Sequence, residues 1–145
     1  MSMTKTRLMP EGLWDWPVPV PFSQGWRVGG DFDLIFVGGQ ISVDEHNNVI
    51  GEGDIEVQTR TVFENIGKVL REAGADYTDL VKFNTFYHFD GTGEQVQEFW
   101  EKMTRVRLEF LREPGPVGTA IRCRGFMLDG ILIEVEAFAV VPRDR

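Results

Sequence analysis

The sequence has little of the chemistry on which several classes of protein depend. It contains one cysteine, Cys123, in 145 residues, so no disulfide can form within the chain. Its two histidines, His46 and His88, lie far apart, and no Cys or His spacing typical of a zinc site is present. No glycine-rich phosphate loop is present either. We therefore expect no metal site and no nucleotide-binding loop.

Positive charge and long apolar runs are also scarce. Lys and Arg number 15 against 23 Asp and Glu, and the net charge of −8 disfavours nucleic acid as a general partner. No apolar run approaches the roughly 20 residues that span a membrane. The first residues lack the apolar segment and cleavage site of a signal peptide. Together with the single cysteine, these features predict a cytoplasmic protein that does not enter a membrane.

The length of the chain suits one domain, spanning residues 1–145. Residues 1–18 are rich in Pro and Trp and show no periodicity, which predicts an extended N-terminal arm on the surface. Trp14 and Trp16 are expected to cover an apolar patch of the body or of a neighbouring subunit. Stacking on a ligand is the alternative role for these two rings.

The remaining pattern predicts the order β-β-α-β-α-β-β. The predicted segments are a short extended stretch at 21–29, a strand at 33–43 interrupted at Gly38-Gly39, a helix capped by Asp54 and ending near Ala73, a strand at 80–89, a helix from near Thr92 that Pro114 and Pro116 end, and a closing hairpin over 118–140 that turns at Asp129-Gly130. Two helices can cover only one face of such a sheet, which gives an α+β fold.

The last strand is apolar on both of its faces. Ile131, Ile133 and Val135 are apolar on one face, and Leu132 and Phe138 are apolar on the other, so both faces favour burial. Since the helices cover one face, the other is expected to pack against further copies of the chain in a symmetric homo-oligomer.

Four charges interrupt the predicted hairpin. Glu134 and Glu136 alternate along its second strand, and Arg122 and Arg124 alternate along its first. A glutamate in an apolar strand must be paired, hydrated or placed at an opening. Ion pairing across the two strands is one interpretation, and a functional carboxylate is the other. Cys123 has no histidine near it in the sequence, which favours a structural thiol over a nucleophile.

Three stretches together resemble the RidA (YjgF-like) family of reactive-intermediate deaminases. They are "FSQGWRVGGDFDLIFVGGQISVD", "QTRTVFENIGKVLREAGADYTDLVKFNTF" and "LIEVEAFAV", and the resemblance runs from about residue 19 to 141. It implies a fold similar to small chorismate mutases and a homotrimer with three clefts between subunits. It also implies hydrolysis, without a cofactor, of imines or enamines such as 2-aminoacrylate to keto acids and ammonia.

The resemblance also implies site residues. Glu134 falls on the family glutamate that positions water, and Gly39 on a glycine that lines the cleft. Phe22 falls on a tyrosine and has lost its hydroxyl. Thr119 falls on the arginine that binds the substrate carboxylate, so the chain resembles a branch without this arginine.

The rest of the expected cleft is apolar. Ile121 falls on a position where deaminases of the family often have cysteine, and Met103 is a further expected lining residue. Such a cleft suits a small metabolite less anionic than 2-aminoacrylate. Two functions remain open at this point. One is an enzyme that hydrolyses or tautomerises a small imine, enamine or carbonyl compound, and the other is a non-catalytic trimer that binds a metabolite or a protein partner.

Overall fold

The computed structural model describes residues 1–15 and 20–145. Its elements are the strands β1 (Thr4–Leu8), β2 (Gly25–Gly29), β3 (Phe32–Ile41), β4 (Leu80–Tyr87), β5 (Val117–Arg122) and β6 (Ile133–Pro142), the helices α1 (Ile55–Glu72) and α2 (Glu94–Arg107), and a 3₁₀ turn, Tyr77–Asp79. β1 and β2 form a two-stranded antiparallel ribbon, and the other strands form a mixed sheet in the order β3-β6-β4-β5. The predicted α+β class is confirmed.

The N-terminal segment is more ordered than the predicted extended arm. Thr4–Leu8 pairs with Gly25–Gly29 along its whole length, so part of the segment is a strand. The sequence did not predict this strand, because threonines alternate in it with charged residues. The usual signal of a strand is an alternation of apolar with polar residues. Trp16 lies outside the described residues, and its expected covering role therefore stays a prediction.

The helix α1 begins and ends as predicted. The Asp54 side chain accepts hydrogen bonds from the backbone N–H groups of Glu56 and Val57, at 3.0 and 3.1 Å. At the other end Ala73 is the C-cap and Gly74 takes a φ of +71°, a conformation that favours glycine. Helix α2 starts at Gly93 without a side-chain cap, so the capping box expected at Thr92 and Gln95 is incomplete.

Both helices pack on the same face of the sheet. The fully buried side chains come from this layer, and they include Val62, Phe63, Ile66, Leu70, Phe83, Met103, Ile133 and Val135. Burial of these apolar surfaces is the main stabilising contribution to such a fold. We call the covered side of the sheet the helix face and the other side the open face.

The predicted closing hairpin is wrong. β5 pairs in parallel with β4, and β6 lies on the other edge of β4, between β4 and β3. The reason is that β4, α2 and β5 form a strand–helix–strand crossover, which returns the chain parallel to its first strand. Gly130 does adopt a positive φ of +88°, but its turn belongs to the connection that carries the chain across β4.

This topology also overturns the ion-pair interpretation of the four charges. Because β4 separates β5 from β6, Arg122 and Arg124 are not cross-strand neighbours of the glutamates. The Arg122 guanidinium instead donates to the Gly91 carbonyl oxygen at 2.8 Å. A cross-strand ion pair with either arginine is therefore excluded for Glu134, and its interpretation as a functional carboxylate remains.

Candidate functional site

The open face carries two parallel rows of side chains across its strands. Residues opposite each other in register share a face. In one row Glu134 of β6 lies between Ile41 of β3 and Phe86 of β4, and Ile121 of β5 follows Phe86. In the next row Glu136 is followed by Asn84 and Thr119. Three predicted site residues, Glu134, Thr119 and Ile121, thus lie on one surface.

A bulge in β3 brings Gly39 against Glu134. The register of β3 on β6 shifts between Val37 and Gln40, where the paired glycines predicted an interruption. A Cβ added to Gly39 would collide with the Glu134 carboxylate and lie 3.1 Å from its Cδ. Gly39 therefore leaves the space that this carboxylate occupies, and Gln40 resumes the pairing beyond it.

The two glycines of the bulge offer a matched pair of variants. Gly39→Ala is expected to displace the Glu134 carboxylate and so to reduce any ligand binding or turnover that depends on it. Gly38→Ala should leave both unchanged, because a Cβ there meets nothing within 4 Å. The side-chain carboxyl resonance of Glu134 measures the displacement without requiring a substrate. A shift of equal size in both variants would contradict the proposed contact.

Asn84 is a site residue that the sequence interpretation did not single out. Its side-chain amide donates to Glu136 Oε1 at 3.0 Å, and its register partner on the next strand is Thr119. The Glu136 carboxylate thus has a hydrogen-bond donor within the sheet, which favours a structural role for Glu136. Glu134 is left as the candidate functional carboxylate. The available signal was an amide side chain between two phenylalanine positions of the strand, Phe83 and Phe86.

Thr119 and Ile121 lie on the edge strand of the sheet. Both are exposed, and Ile121 keeps 47% of its surface accessible. β5 is two strands away from β6, so about 10 Å separates these backbones from that of the glutamates. Arg122 faces the opposite side from Thr119, since its register partner is Tyr87 of the helix face.

Phe22 and Met103 do not join this surface. The Phe22 ring packs on Phe83, with centroids 5.7 Å apart, and Met103 is fully buried under the helices. Both therefore lie on the helix face, across the sheet from the Glu134 carboxylate of the same chain. Met103 presents no accessible surface to a ligand because its helical spacing places it in the core stripe.

A cavity of about 760 Å³ lies beside β5, mainly on the helix face, and Thr119 at the edge of the sheet also lines it. Its lining includes the aromatic side chains of Phe22, Phe83, Tyr87 and Trp100 and the guanidinium-bearing Arg107. Arg107 Nη2 donates to Thr85 Oγ1 at 2.9 Å, and its guanidinium carbon lies 5.4 Å from the Phe83 ring centroid. Burial lowers the pKa of Arg107 to about 10, so this side chain stays protonated at neutral pH.

A buried amide anchors the chain just before β6, the strand that carries Glu134. Gln58 Nε2 donates to the carbonyl oxygens of Gly51 and Gly130, at 3.0 and 2.7 Å, and its Oε1 accepts from Leu132 N at 2.8 Å. Gln58 is fully buried and bridges α1 to the loop that enters β6. Glu134 follows that anchor by two residues, so this contact fixes where β6 starts.

The described residues hold no group of three or more His, Cys, Asp or Glu side chains that could bind a metal ion. His88 Nδ1 lies 3.2 Å from the Cys123 carbonyl oxygen, and the Cys123 thiol lies 3.4 Å from the Tyr87 carbonyl oxygen. The thiol is thus engaged with backbone rather than with the imidazole. Within residues 1–15 and 20–145, no helix is long and apolar enough to cross a membrane.

Comparisons with known proteins match this architecture. The model of the family described as endoribonuclease L-PSP matches residues 17–141. A RutC family protein of Pyrococcus abyssi is 38% identical over 124 residues, covering 85% of this chain and 89% of its own. The structure of the Rid family protein YyfB of Yersinia pestis covers 94% of this chain and 98% of its own, with a TM-score of 0.76 at 23% identity, which shows a shared fold. RidA of an Antarctic Psychrobacter has a TM-score of 0.65 at 25% identity, over 83% and 88% of the two chains.

Proposed function

The chain belongs to the RidA/YjgF family, and from that premise we propose that it is a homotrimer that hydrolyses a small imine or enamine in clefts between its subunits. The observation that carries the proposal is the close approach of Gly39 to the Glu134 carboxylate on the open face. The glutamate and the glycine are the two family positions that this chain keeps.

Exposed apolar side chains on the open face support the self-association. Phe36 and Leu34 of β3 are 68% and 47% exposed, and their register partners Phe138 and Val140 place them on the open face. The Phe36 and Phe138 rings meet edge to face, with centroids 5.6 Å apart. A contiguous apolar sheet surface of this kind is typical of an interface between subunits.

Light scattering tests the trimer. We expect three times the subunit mass of 16.5 kDa at micromolar concentration. Phe36→Glu is expected to reduce the mass to that of one subunit, because it places a charge in the proposed interface. Leu108→Glu, at an exposed apolar residue that follows α2, should leave the trimer intact. A native monomer would contradict the proposal.

The proposed chemistry is general base catalysis by Glu134. An enamine first becomes the imine, as its β-carbon gains a proton and its nitrogen loses one. The Glu134 carboxylate then accepts a proton from a water molecule as the water oxygen attacks the imine carbon. The carbinolamine then breaks its C–N bond after its nitrogen gains a proton, and the carboxylate returns to its starting state. The products are a carbonyl compound and ammonia, and the reaction consumes one water. The half-buried setting of Glu134 in β6 holds this carboxylate in one place.

The substrate is proposed to be less anionic than 2-aminoacrylate. Thr119 offers one hydroxyl where the deaminases of the family have an arginine, and it cannot form a bidentate pair with a carboxylate. The neutral amide 2-aminoacrylamide is a suitable matched probe, because it keeps the enamine and removes the charge. If the protein is an enzyme of this kind, ammonia is released from 2-aminoacrylamide faster with the protein than without it.

A non-catalytic trimer that binds a metabolite or a protein partner in the same clefts is the second candidate. Loss of the carboxylate-binding arginine favours it, because that loss weakens catalysis without weakening apolar binding. We do not propose the endoribonuclease activity that the family description names, since a net charge of −8 opposes binding to RNA phosphates. A cytoplasmic location without a cofactor remains part of the proposal.

A further inference from the structure

We propose that the cavity beside β5 is a second small-molecule site, in which Arg107 binds the carboxylate of a monocarboxylate that has an apolar body. The site lies mainly on the helix face, across the sheet from Glu134, and reaches the edge strand β5, where Thr119 also lines it. Its cation is Arg107, which the proposed reaction at Glu134 does not use.

The argument starts from a buried charge without a counterion. Arg107 is 2% exposed, and its Nε has no hydrogen-bond partner among the described residues. Burial is what shifts its pKa, with no contribution from any carboxylate of the described chain. The four undescribed residues, 16–19, have the sequence WPVP and so contribute no carboxylate side chain. An uncompensated buried cation is costly, and such a group is ordinarily paired.

The partners that Arg107 does have leave capacity for an anion. One Nη donates to the Thr85 hydroxyl, and the Phe83 ring lies beneath the guanidinium. A guanidinium carries five N–H donors in a planar fork that matches a carboxylate. The orphaned Nε is one of those donors, and Arg107 is among the residues that line the cavity. A carboxylate in the cavity beside Arg107 would neutralise the charge, and a small shift of the guanidinium would bring the buried Nε into contact with it.

The walls of the cavity specify the rest of the ligand. Phe22, Phe83, Tyr87, Trp100 and Val96 provide an aromatic and aliphatic lining. A cavity of about 760 Å³ with few convergent polar groups is typical of a small-molecule site. An aromatic or branched aliphatic body is therefore favoured over a polar one.

Two carboxylates of the lining limit the charge of the ligand. Asp15 is exposed, and Glu101 is half-buried and accepts a hydrogen bond from Gln97 at 2.9 Å. Both would repel a second negative charge on a ligand already held at Arg107. The site is therefore expected to prefer a monocarboxylate to a dicarboxylate of similar size.

Calorimetric titration with three probes tests the site. Phenylacetate is expected to bind the native protein, whereas its neutral amide, phenylacetamide, and the dicarboxylate succinate are not. Arg107→Met should weaken phenylacetate binding by at least about thirtyfold, as expected for truncating one partner of a buried charge pair. Arg105→Met is the matched control on the same helix, because Arg105 is exposed and lies 3.5 Å from Glu56. It should bind phenylacetate like the native protein.

Arg107→Met is expected to fold, since replacing a buried charge by an apolar side chain of similar volume is often neutral or stabilising. If it does not fold, the side-chain Nε–H resonance of Arg107 in the native protein supplies the second readout. This resonance should shift when phenylacetate is added and stay unchanged with phenylacetamide. Absence of phenylacetate binding at millimolar concentration, equal binding of the amide, or unchanged binding by Arg107→Met would each overturn the proposal.

Discussion

Glu134→Gln is expected to lower the release of ammonia from 2-aminoacrylamide by about 10²- to 10⁴-fold, the range that a positioned general base contributes. The amide keeps the shape of the side chain and its place beside Gly39, but it cannot accept the proton of the attacking water. The fold should be retained, because Glu134 is not among the buried core residues. The trimer should be retained as well, because glutamine keeps the shape of the side chain and adds no charge to the open face.

Glu136→Gln is the matched control for this prediction. Glu136 has the same side chain, lies two residues along the same strand and faces the same side, but it accepts a hydrogen bond from Asn84. Its replacement should change the rate far less. Circular dichroism checks the folding of both variants, and light scattering checks their mass. Equal losses of rate in the two variants would mean that the loss comes from removing a negative charge from β6, and not from removing a particular base.

Native protein is expected to hydrolyse 2-aminoacrylate poorly, and Thr119→Arg is expected to raise that rate by roughly 30-fold to several thousand-fold. The range corresponds to about 2–5 kcal/mol, the cost of removing one partner of a buried charged pair. Thr119 is exposed on the open face, so a longer side chain can extend there without entering the core. Phe22 does not obstruct it within the chain, because Phe22 packs on the other face.

Two comparisons separate carboxylate binding from a general effect of added charge. Thr119→Arg should raise the rate with 2-aminoacrylate and leave the rate with 2-aminoacrylamide nearly unchanged. Val117→Arg places the same charge on the same strand and face, but opposite Lys82 and further from the Glu134 row. It should have a smaller effect. Rapid hydrolysis of 2-aminoacrylate by the native protein would show that another cation holds the carboxylate.

The helices and the bulge could be predicted because their signals are local. The Asp54 cap and the helix end near Ala73 lie within one stretch of chain, and both are observed where predicted. The paired glycines of β3 are equally local, and the register shift lies at their position. Strand partners are not local, which is why the Asp-Gly turn led to a wrong hairpin. The two strands that flank this turn, β5 and β6, pair with the two edges of β4 instead of with each other.

The apolar character of β6 was the better guide to its place in the sheet. A strand that favours burial on both faces suits a central position, and β6 lies between β3 and β4. The open-face placement of Glu134, Thr119 and Ile121 follows from alternation along the strands. The side of the sheet on which Phe22 and Met103 lie depends on tertiary packing. A resemblance between sequences does not show on which side of the sheet a residue of one subunit lies.

Arg107 shows a signal that was present but not used. It follows Met103 by four residues and precedes Leu111 by four, so the helical period places it on the same stripe as two core residues. A charged residue on that stripe is a candidate functional group, because an arginine is seldom buried without a partner. The cavity that it lines could not be predicted, since it depends on how the N-terminal segment, α2 and β5 meet.

The central claim, that Glu134 is the base of an imine- or enamine-hydrolysing cleft, is tested most directly by one measurement. It is the initial rate of ammonia release from 2-aminoacrylamide generated in situ, with native protein, with Glu134→Gln and without protein. We expect the native protein to exceed the protein-free rate and Glu134→Gln to fall close to it. A native rate equal to the protein-free rate, or full activity in folded, trimeric Glu134→Gln, would contradict the claim.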